Sequence, residues 1–368
     1  MLAAAATTTF PPAHAATFVY VSNAQDGTIS IYKLDPANGD LQPAGHAAAG
    51  NPVGPMALSP DHRHLYASIR SKPFSVATYL IDSKTGALTR VSTASLADSM
   101  AYISTDRSGR FLFSASYSGD VVSVNPIGPQ GFAQDATQVV KTGRHAHAIL
   151  VDPSNRFVYA TSLGTDQVLQ FDFNQGTGAL SPNKVPSTRL PDGAGPRHFV
   201  FSPNGRFLYV LSELAGTVTT FAIDTATGNL TEAGSVEGVP KSYGLAHGVV
   251  RPPGGAAQVD DTPRIWASDV HITPDGKFLY MAERTSSSIS AFACDPATGK
   301  LTFLSNLVVE KQPRGFNIDP RGRFVVVAGE KSDEVGVYAI DPQHGALTSI
   351  GHAAAGRGAN WIEIVEFN

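Results

Sequence analysis

The 368-residue sequence contains a single cysteine, Cys294, and this scarcity excludes several kinds of structure. One cysteine cannot form an internal disulfide, and it cannot supply a cysteine-based zinc site or a paired-cysteine redox motif. The cellular compartment stays open, because an exported protein need not contain disulfides.

Charged residues are also scarce, at 16% of the chain, and 31 acidic residues slightly outnumber 27 basic ones. A broad basic face for nucleic acid or for an anionic membrane is therefore not expected, and any anion site has to be local. No run reaches the roughly 20 apolar residues of a membrane-spanning helix. We predict a small-molecule partner, with no nucleic acid and no membrane. The sequence does not indicate an oligomeric state.

Lysine and arginine are absent from the N-terminus, before Lys33. The segment 1–16 is small and apolar and contains Ala13-His14-Ala15, which fits the cleavage site of a secretory leader, although a leader normally begins with a positively charged region. Two interpretations remain. A leader remnant predicts a periplasmic or secreted protein, whereas a flexible alanine-rich terminus leaves a cytoplasmic location open.

Glycine and proline are plentiful, at 35 and 25 residues, and they punctuate a repeated phrase of the form Pro-x-x-(Arg/Lys)-Phe-Leu-Tyr. The last residue of this phrase recurs at intervals of 46 to 50 residues, with one interval of 71. A period of this length indicates stacked supersecondary units. We call the seven last residues the anchors; they are Tyr20, Tyr66, Phe113, Tyr159, Tyr209, Tyr280 and Val326.

Each unit contains short apolar or alternating runs, such as 218–223, which are typical of β-strands, and no helical periodicity of useful length. A glycine turn, as at Asn38-Gly39, separates the third strand from the fourth. Four strands in each of seven units predict an all-β, seven-bladed β-propeller over 17–368. The chain begins one strand short and ends with a spare strand, 361–367. We therefore predict that the C-terminal strand completes the first blade and closes the ring.

The long interval between Tyr209 and Tyr280 contains an insertion at about 237–264. Insertions in repeat folds fall in loops on one face, often the binding face. A lid over a site and a plain surface loop are both consistent with it.

Polar side chains are concentrated beside the anchors of four consecutive units, whereas the corresponding phrases of two earlier units, 55–57 and 99–102, are much less polar. Because the innermost strands of a propeller line its channel, we expect these side chains to meet at one mouth. The candidates are His145, His147, Arg197, Glu213, Asp269, His271, Arg284 and Arg314.

These residue types suit the cleavage of an ester bond. Arginine presents a fixed fork of donors to a carboxylate, a phosphate or a developing oxyanion. Histidine and glutamate supply general acids and bases near neutral pH. A purely structural role is the competing interpretation: Glu213 could merely neutralise Arg197, and the histidines could bond to the backbone. His145, His147 and His271 could also converge on a divalent ion, but no carboxylate partner for it is evident.

The order of these motifs resembles the seven-bladed 6-phosphogluconolactonase and carboxymuconate cyclase family, over essentially the whole of 18–367. The resemblance implies lactone chemistry at one mouth of the channel, with no cofactor. It implies catalytic roles for His147, Arg197, Glu213 and Arg284. It implies substrate-binding roles for His145, Asp269, His271, Arg314 and Glu330.

Two departures from the family pattern bear on the substrate. Ala101-Tyr102 stands where close 6-phosphogluconolactonases have Thr-His, and Glu330 stands where they commonly have Gln. A lost imidazole and a gained carboxylate both disfavour a phosphorylated substrate. The expected function is hydrolysis of a sugar-acid or related small lactone, an activity of a carboxylic-ester hydrolase. The alternatives are a cycloisomerase that opens or closes a lactone without water, and a non-catalytic propeller that binds a ligand or protein.

Overall fold

The computed structural model describes residues 16–252 and 261–367. The segment that carries the leader prediction, 1–15, and part of the insertion, 253–260, lie outside the described residues. Within the described ranges the chain forms 28 strands in seven four-stranded antiparallel sheets, with two short 3-10 turns. The predicted all-β, seven-bladed β-propeller is confirmed. No helix of the described residues is long and apolar enough to cross a membrane.

The strands of each blade follow one another along the chain, except in the first blade. The first blade consists of β28 (Ala359–Phe367), β1 (Ala16–Asn23), β2 (Thr28–Leu34) and β3 (Leu41–Ala48). The second consists of β4 (Val53–Leu58), β5 (His64–Ile69), β6 (Ser75–Ile81) and β7 (Leu88–Ser95). The third consists of β8 (Tyr102–Thr105), β9 (Phe111–Ser116), β10 (Val121–Pro126) and β11 (Gln138–Lys141).

The other four blades repeat the same order. The fourth blade is β12 (Ala146–Val151), β13 (Phe157–Ser162), β14 (Gln167–Phe173) and β15 (Leu180–Arg189), with a 3-10 turn at Leu163–Thr165. The fifth is β16 (Pro196–Phe201), β17 (Phe207–Ser212), β18 (Thr217–Ile223) and β19 (Leu230–Glu237). The sixth is β20 (Ala267–Ile272), β21 (Phe278–Glu283), β22 (Ser288–Cys294) and β23 (Leu301–Val308). The seventh is β24 (Pro313–Ile318), β25 (Phe324–Gly329), β26 (Glu334–Ile340) and β27 (Leu347–Ala354).

The ring closes as predicted, because β28 pairs antiparallel with β1 from Ala16↔Phe367 to Asn23↔Ala359. Ile362 and Ile364 are buried in one apolar cluster with Val19 of the first blade and Val326 of the seventh. The first blade is thus assembled from both ends of the described chain, and neither the first nor the last repeat presents an unpaired inner edge.

The anchors explain why the repeat is visible in the sequence. Each anchor lies in the second strand of its blade, and four anchor tyrosines donate a hydrogen bond to the carbonyl of a turn glycine in the next blade. Two examples are Tyr20 to Gly86, at 3.0 Å, and Tyr159 to Gly228, at 2.6 Å. Gly86 has a φ of +72°, and a Cβ there would lie 2.4 Å from the ring of Phe18, so only glycine fits this contact. The repeated tyrosine and glycine therefore join neighbouring blades.

The strand directions decide where side chains lie along the channel. In each blade the chain runs down the inner strand and back up the second, because the two are antiparallel. Residues at the start of an inner strand and residues just after a second strand therefore lie at one mouth, which we call the upper mouth. Side chains later in an inner strand lie deeper, towards the lower mouth.

The insertion begins where β19 ends and returns to the fold at β20. Its described part forms a 3-10 turn at Lys241–Tyr243 and a β-bridge between Ala246 and Arg264. Arg251 and Pro252 reach the central cavity at the upper mouth. The insertion therefore reaches the upper mouth, and its action as a lid stays a prediction.

Candidate functional site

Five arginines surround a cavity of about 450 Å³ at the upper mouth. We call this cavity, with its lining side chains, the arginine pocket. It brings together four of the predicted residues, His147, Arg197, Glu213 and Arg284, and also Arg314 from the predicted substrate-binding set. The other two arginines are Arg70 and Arg251.

The position of each side chain follows from the repeat. His147, Arg197 and Arg314 are each the second residue of an inner strand, in β12, β16 and β24. Glu213 and Arg284 each follow the second strand of their blade directly. Both kinds of position lie at the upper mouth, so these five residues reach one cavity although His147 and Arg314 are 167 positions apart in sequence.

Glu213 bridges two of the arginines. Arg284 Nη2 donates to Glu213 Oε1 at 2.7 Å, and Arg197 Nε lies 2.8 Å from Glu213 Oε2 in an ion pair. Burial alone would raise the pKa of Glu213, but Arg284 and Arg197 outweigh it and hold this pKa below its ordinary value. Glu213 is therefore ionised and has both oxygens engaged, which suits a group that fixes the arginines better than one that accepts a proton.

Arg197 is the most enclosed member of the pocket, with 1% of its surface exposed. Burial lowers the pKa of Arg197 to about 9, which still leaves the guanidinium charged at neutral pH. Its Nη1 lies 3.1 Å from Nε2 of His198, while its Nη2 has no hydrogen-bond partner among the described residues. Nε makes its ion pair with Glu213 without hydrogen-bond geometry, so the guanidinium is held by that ion pair and by the contact with His198, and Nη2 is left without a partner in the described ranges.

The other three arginines of the pocket are Arg314, which forms an ion pair, and Arg70 and Arg251. Arg314 Nη1 donates to Glu330 Oε1 at 3.1 Å. Arg70 Nε donates to the Ser99 hydroxyl at 3.1 Å, and burial, together with nearby Arg314, lowers the pKa of Arg70 to about 10. Across this part of the described chain, five arginines face two carboxylates. With Glu330 counted beside Arg314, the pocket therefore carries an excess of three positive charges, a balance that favours the binding of an anion.

His147 contributes a neutral imidazole. Burial and the nearby Arg197 lower the pKa of His147 well below the ordinary histidine value. Its Nδ1 is buried and has no hydrogen-bond partner among residues 16–252 and 261–367. An unprotonated imidazole beside several arginines is suited to accept a proton from water.

His145 is not part of the pocket lining. Its ring stacks on Tyr117 with the centroids 4.1 Å apart, and its Nδ1 lies 2.9 Å from the Tyr117 carbonyl oxygen. Tyr117 itself lines the arginine pocket, and its hydroxyl donates to the Arg251 carbonyl at 2.6 Å. His145 therefore supports the wall of the pocket.

Asp269 and His271 were expected beside the arginines, and this expectation is wrong. Both line a separate cavity of about 400 Å³ towards the lower mouth. We call it the glutamate cavity, because Glu363 lines it and burial raises the pKa of that carboxyl to about 7. His271 and Glu363 are each the fifth residue of an inner strand, so they lie deeper than the second residues that form the arginine pocket.

Irregular pairing at the start of the inner strands explains the difference. The register of β16 against β17 shifts between Pro196 and Phe199, and β12 and β20 show similar shifts near their starts. A β-bulge re-aims side chains, so simple alternation does not predict which residues share a face. Arg197 lines the arginine pocket while the adjacent His198 lines the glutamate cavity.

This placement also separates the three histidines that were considered as metal ligands. His271 lies in the glutamate cavity, His147 in the arginine pocket, and His145 is stacked behind Tyr117. Within the described ranges no three histidine, cysteine or acidic side chains are grouped so that they could hold a metal ion.

Sequence reasoning missed Arg70, Tyr117 and Arg251. A signal for the first two was present, because both lie four residues after an anchor, as do Glu213, Arg284 and Glu330. Aligning the repeats on the anchors would have found this position in each blade. Arg251 lies in the insertion and has no counterpart in the other repeats.

Comparison with known proteins gives a consistent result. The family described as Lactonase, 7-bladed beta-propeller, matches residues 14–364. A 6-phosphogluconolactonase of Pectobacterium carotovorum is 38% identical over 301 residues, 82% of this chain and 84% of that protein. One from Serratia proteamaculans is 35% identical over the same shares.

Solved structures are similar over nearly the whole chain. The periplasmic gluconolactonase of Pseudomonas aeruginosa superposes with a TM-score of 0.82 at 28% identity, covering 95% of this chain and 99% of that one. A crystal structure from Bacteroides fragilis gives a TM-score of 0.84 at 23% identity, covering 96% and 100%, and shows likeness of fold.

Proposed function

This chain belongs to the seven-bladed β-propeller lactonases, and we propose that its substrate is the lactone of a sugar acid that carries an anionic group. The sequence-based prediction of a lactone hydrolase is confirmed by the family, and the cycloisomerase alternative is secondary to it. The observation that carries the substrate proposal is the excess of three positive charges around a cavity of about 450 Å³. Arginine forks bind carboxylate and phosphate groups well.

The arginines also suit the reaction itself. When water attacks the carbonyl carbon of a lactone, negative charge develops on the carbonyl oxygen, and fixed donors stabilise it. Arg197 has a free Nη2 and a guanidinium held by Glu213 and His198, so we assign it the carbonyl oxygen. Arg284, held by the other oxygen of Glu213, lies beside it.

His147 completes the proposed mechanism. Its neutral imidazole accepts the proton of the attacking water, and the tetrahedral intermediate then collapses with cleavage of the bond between the carbonyl carbon and the ring oxygen. The imidazolium returns the proton to the departing oxygen, so that the product is a hydroxy acid. Removal of one such oxyanion donor typically costs about 10²–10³ in kcat.

The expectation of an unphosphorylated substrate is untested, and it now has less support. One of its two arguments rested on Tyr102, which lines the glutamate cavity and not the arginine pocket. The other, Glu330, removes one positive charge beside Arg314. Curated relatives are named 6-phosphogluconolactonases, whereas the Pseudomonas relative is named a gluconolactonase.

A panel of three sugar lactones tests the proposal: one uncharged, one with a carboxylate and one with a phosphate. Both anionic lactones should have the higher kcat/KM at low salt, and the advantage should shrink as salt screens the pocket. Arg70→Gln should raise the KM for the anionic lactones about tenfold, the worth of a hydrogen bond between charged groups. Arg110→Gln, at an exposed arginine outside the pocket, is the matched control.

Two results would count against the proposal in different ways. Equal turnover of the uncharged lactone, without salt dependence, would refute the anionic substrate and leave lactone hydrolysis intact. Absence of ¹⁸O from labelled water in the product would refute hydrolysis itself and favour the cycloisomerase.

We also retain the proposal of a periplasmic or secreted location. It rests on Ala13-His14-Ala15, which lies outside the described residues, and it agrees with the periplasmic name of the Pseudomonas relative. N-terminal sequencing of the protein from its native host tests it. A chain that begins at Ala16 supports export, and a chain that retains 1–15 contradicts cleavage at this site.

A further inference from the structure

A continuous line of buried polar side chains joins the arginine pocket to the glutamate cavity. It runs from Glu213 through Arg197 and His198 to Asp269. Arg197, His198 and Asp269 are 1%, 3% and 7% exposed. Polar groups buried to this degree are costly unless each has a partner, so the pairings within the line define which atom donates and which accepts.

Asp269 fixes the tautomer of His198. Its Oδ1 lies 2.7 Å from His198 Nδ1, and an ionised carboxylate can only accept, so the proton is on Nδ1. Two backbone N–H groups, those of Val270 and Phe316, also donate to this carboxylate, at 3.0 and 3.2 Å. The carboxylate is thus anchored to strands of two neighbouring blades, β20 and β24.

His198 in this tautomer has a lone pair on Nε2, facing Arg197 Nη1 at 3.1 Å. A guanidinium has only donors, so the imidazole has to be the acceptor. A protonated His198 would instead place a donor against a donor and two positive charges side by side. Burial and the adjacent Arg197 lower the pKa of His198 to about 4, which keeps the imidazole neutral.

The surroundings of His198 leave little room for another arrangement. The rings of Tyr102, His147 and Trp361 lie with their centroids 5.0, 5.1 and 5.7 Å from it. The charged or titratable groups that face it are Arg197, Asp269, His271, His147 and Tyr102. None of these supplies a second acceptor for Arg197 Nη1 in the described structure.

We propose that His198 and Asp269 are positioning residues for Arg197: the neutral imidazole accepts from Nη1 and turns the guanidinium so that Nη2 faces the substrate carbonyl. This inference rests on the proposed function, because it gives Arg197 the role of oxyanion donor. It adds that a part of the catalytic geometry is set from the neighbouring blade, by a carboxylate that lines the glutamate cavity and not the arginine pocket. Displacing a reacting group by about 1 Å can cost about 10²-fold in rate.

A double-mutant cycle tests the positioning role. His198→Phe keeps a ring in the channel but removes the acceptor, and it should lower kcat about 10- to 100-fold with a smaller change in KM. In an Arg197→Gln background the same substitution should have almost no further effect on kcat, because His198 acts through Arg197. Urea unfolding of all four proteins separates loss of activity from loss of fold.

A structural role for His198 predicts a different pattern. An equal fall in kcat in both backgrounds, or no fall in the protein that retains Arg197, would overturn the proposal. If His198→Phe does not fold, Asp269→Asn replaces it in the same cycle, because the amide no longer enforces the Nδ1–H tautomer. Asp275→Asn, at an exposed aspartate of the same blade, is the matched control.

A readout independent of turnover keeps the two proposals apart. The ¹⁵N shifts of His198 in the wild-type protein should report a neutral Nδ1–H tautomer from about pH 8 to below about pH 6. A protonated ring or an Nε2–H tautomer at pH 7 would refute the positioning geometry even in an active enzyme. Failure of the wild-type protein to hydrolyse any lactone, with the expected tautomer present, would refute the function and not the geometry.

Discussion

Closure of the ring by β28 makes a quantitative prediction for Ile364→Ala. Ile364 is 8% exposed and lies in the apolar cluster that joins the first blade to the seventh. Truncation of a buried isoleucine to alanine removes apolar contacts and leaves a cavity, which together cost about 2–5 kcal/mol. A domain is typically stable by about 5–15 kcal/mol, so this single change should remove a large part of the free energy of unfolding.

The matched control is Ile350→Ala in β27, where the isoleucine is 42% exposed and outside that cluster. Its cost should be below about 1 kcal/mol, since surface substitutions are usually within ±0.5 kcal/mol. Urea unfolding followed by far-UV circular dichroism measures both. An Ile364→Ala protein that is no less stable than Ile350→Ala would refute the conclusion that β28 holds the ring closed.

Deletion of residues 359–368 is the stronger form of the same test. It removes Ile362, Ile364 and Val365, whose exposed fractions are 3%, 8% and 0%. At about 1.5–3 kcal/mol for each buried side chain, the loss is about 5–9 kcal/mol before the hydrogen bonds to β1 are counted. The truncated protein should not fold to a stable monomer, and a cooperative unfolding transition like that of the full chain would contradict this.

Three further predictions concern single ionisable groups. Glu213→Gln should lower the free energy of unfolding by about 3–5 kcal/mol, because two buried arginines lose their partner, whereas Glu237→Gln, at a 67% exposed glutamate, should cost less than about 1 kcal/mol. Burial raises the pKa of Glu363 in the folded protein, so the contribution of this carboxyl to stability is present at low pH and is lost as pH rises through about 7. In urea unfolding, Glu363→Gln should therefore stabilise the protein at about pH 8.5 and have little effect at about pH 4.5. If neutral His147 is the base, kcat/KM should keep its plateau to below pH 6.5, the ordinary histidine pKa, because burial and Arg197 lower the pKa of His147. His147→Gln should lower this plateau about 10²–10⁴-fold. A fall of kcat/KM that begins at or above pH 6.5 on the acidic side would contradict the assignment.

The sequence determined the architecture because the repeated residues make contacts that recur from blade to blade. The tyrosine anchors and turn glycines recur at one spacing since four such pairs make the same hydrogen bond between neighbouring blades, as Tyr20 does with Gly86. Counting strands then required the last segment to fill the gap in the first blade. The residue types also identified the chemistry: arginines, a glutamate and a histidine near the anchors predicted a local anion site with a proton acceptor.

Only the tertiary structure decided which of these side chains share a cavity. Depth along the channel depends on bulges at the start of the inner strands, where adjacent residues such as Arg197 and His198 reach different cavities. Alternation along a strand does not record such a shift, and so Asp269 and His271 were placed with the arginines although they lie below them. Arg251 reaches the pocket because the start of the insertion lies at the upper mouth, and nothing in its local sequence marks that contact. The sequence specified the blades, their order around the ring and the side chains that each blade carries, and three-dimensional packing specified how deep in the channel those side chains lie.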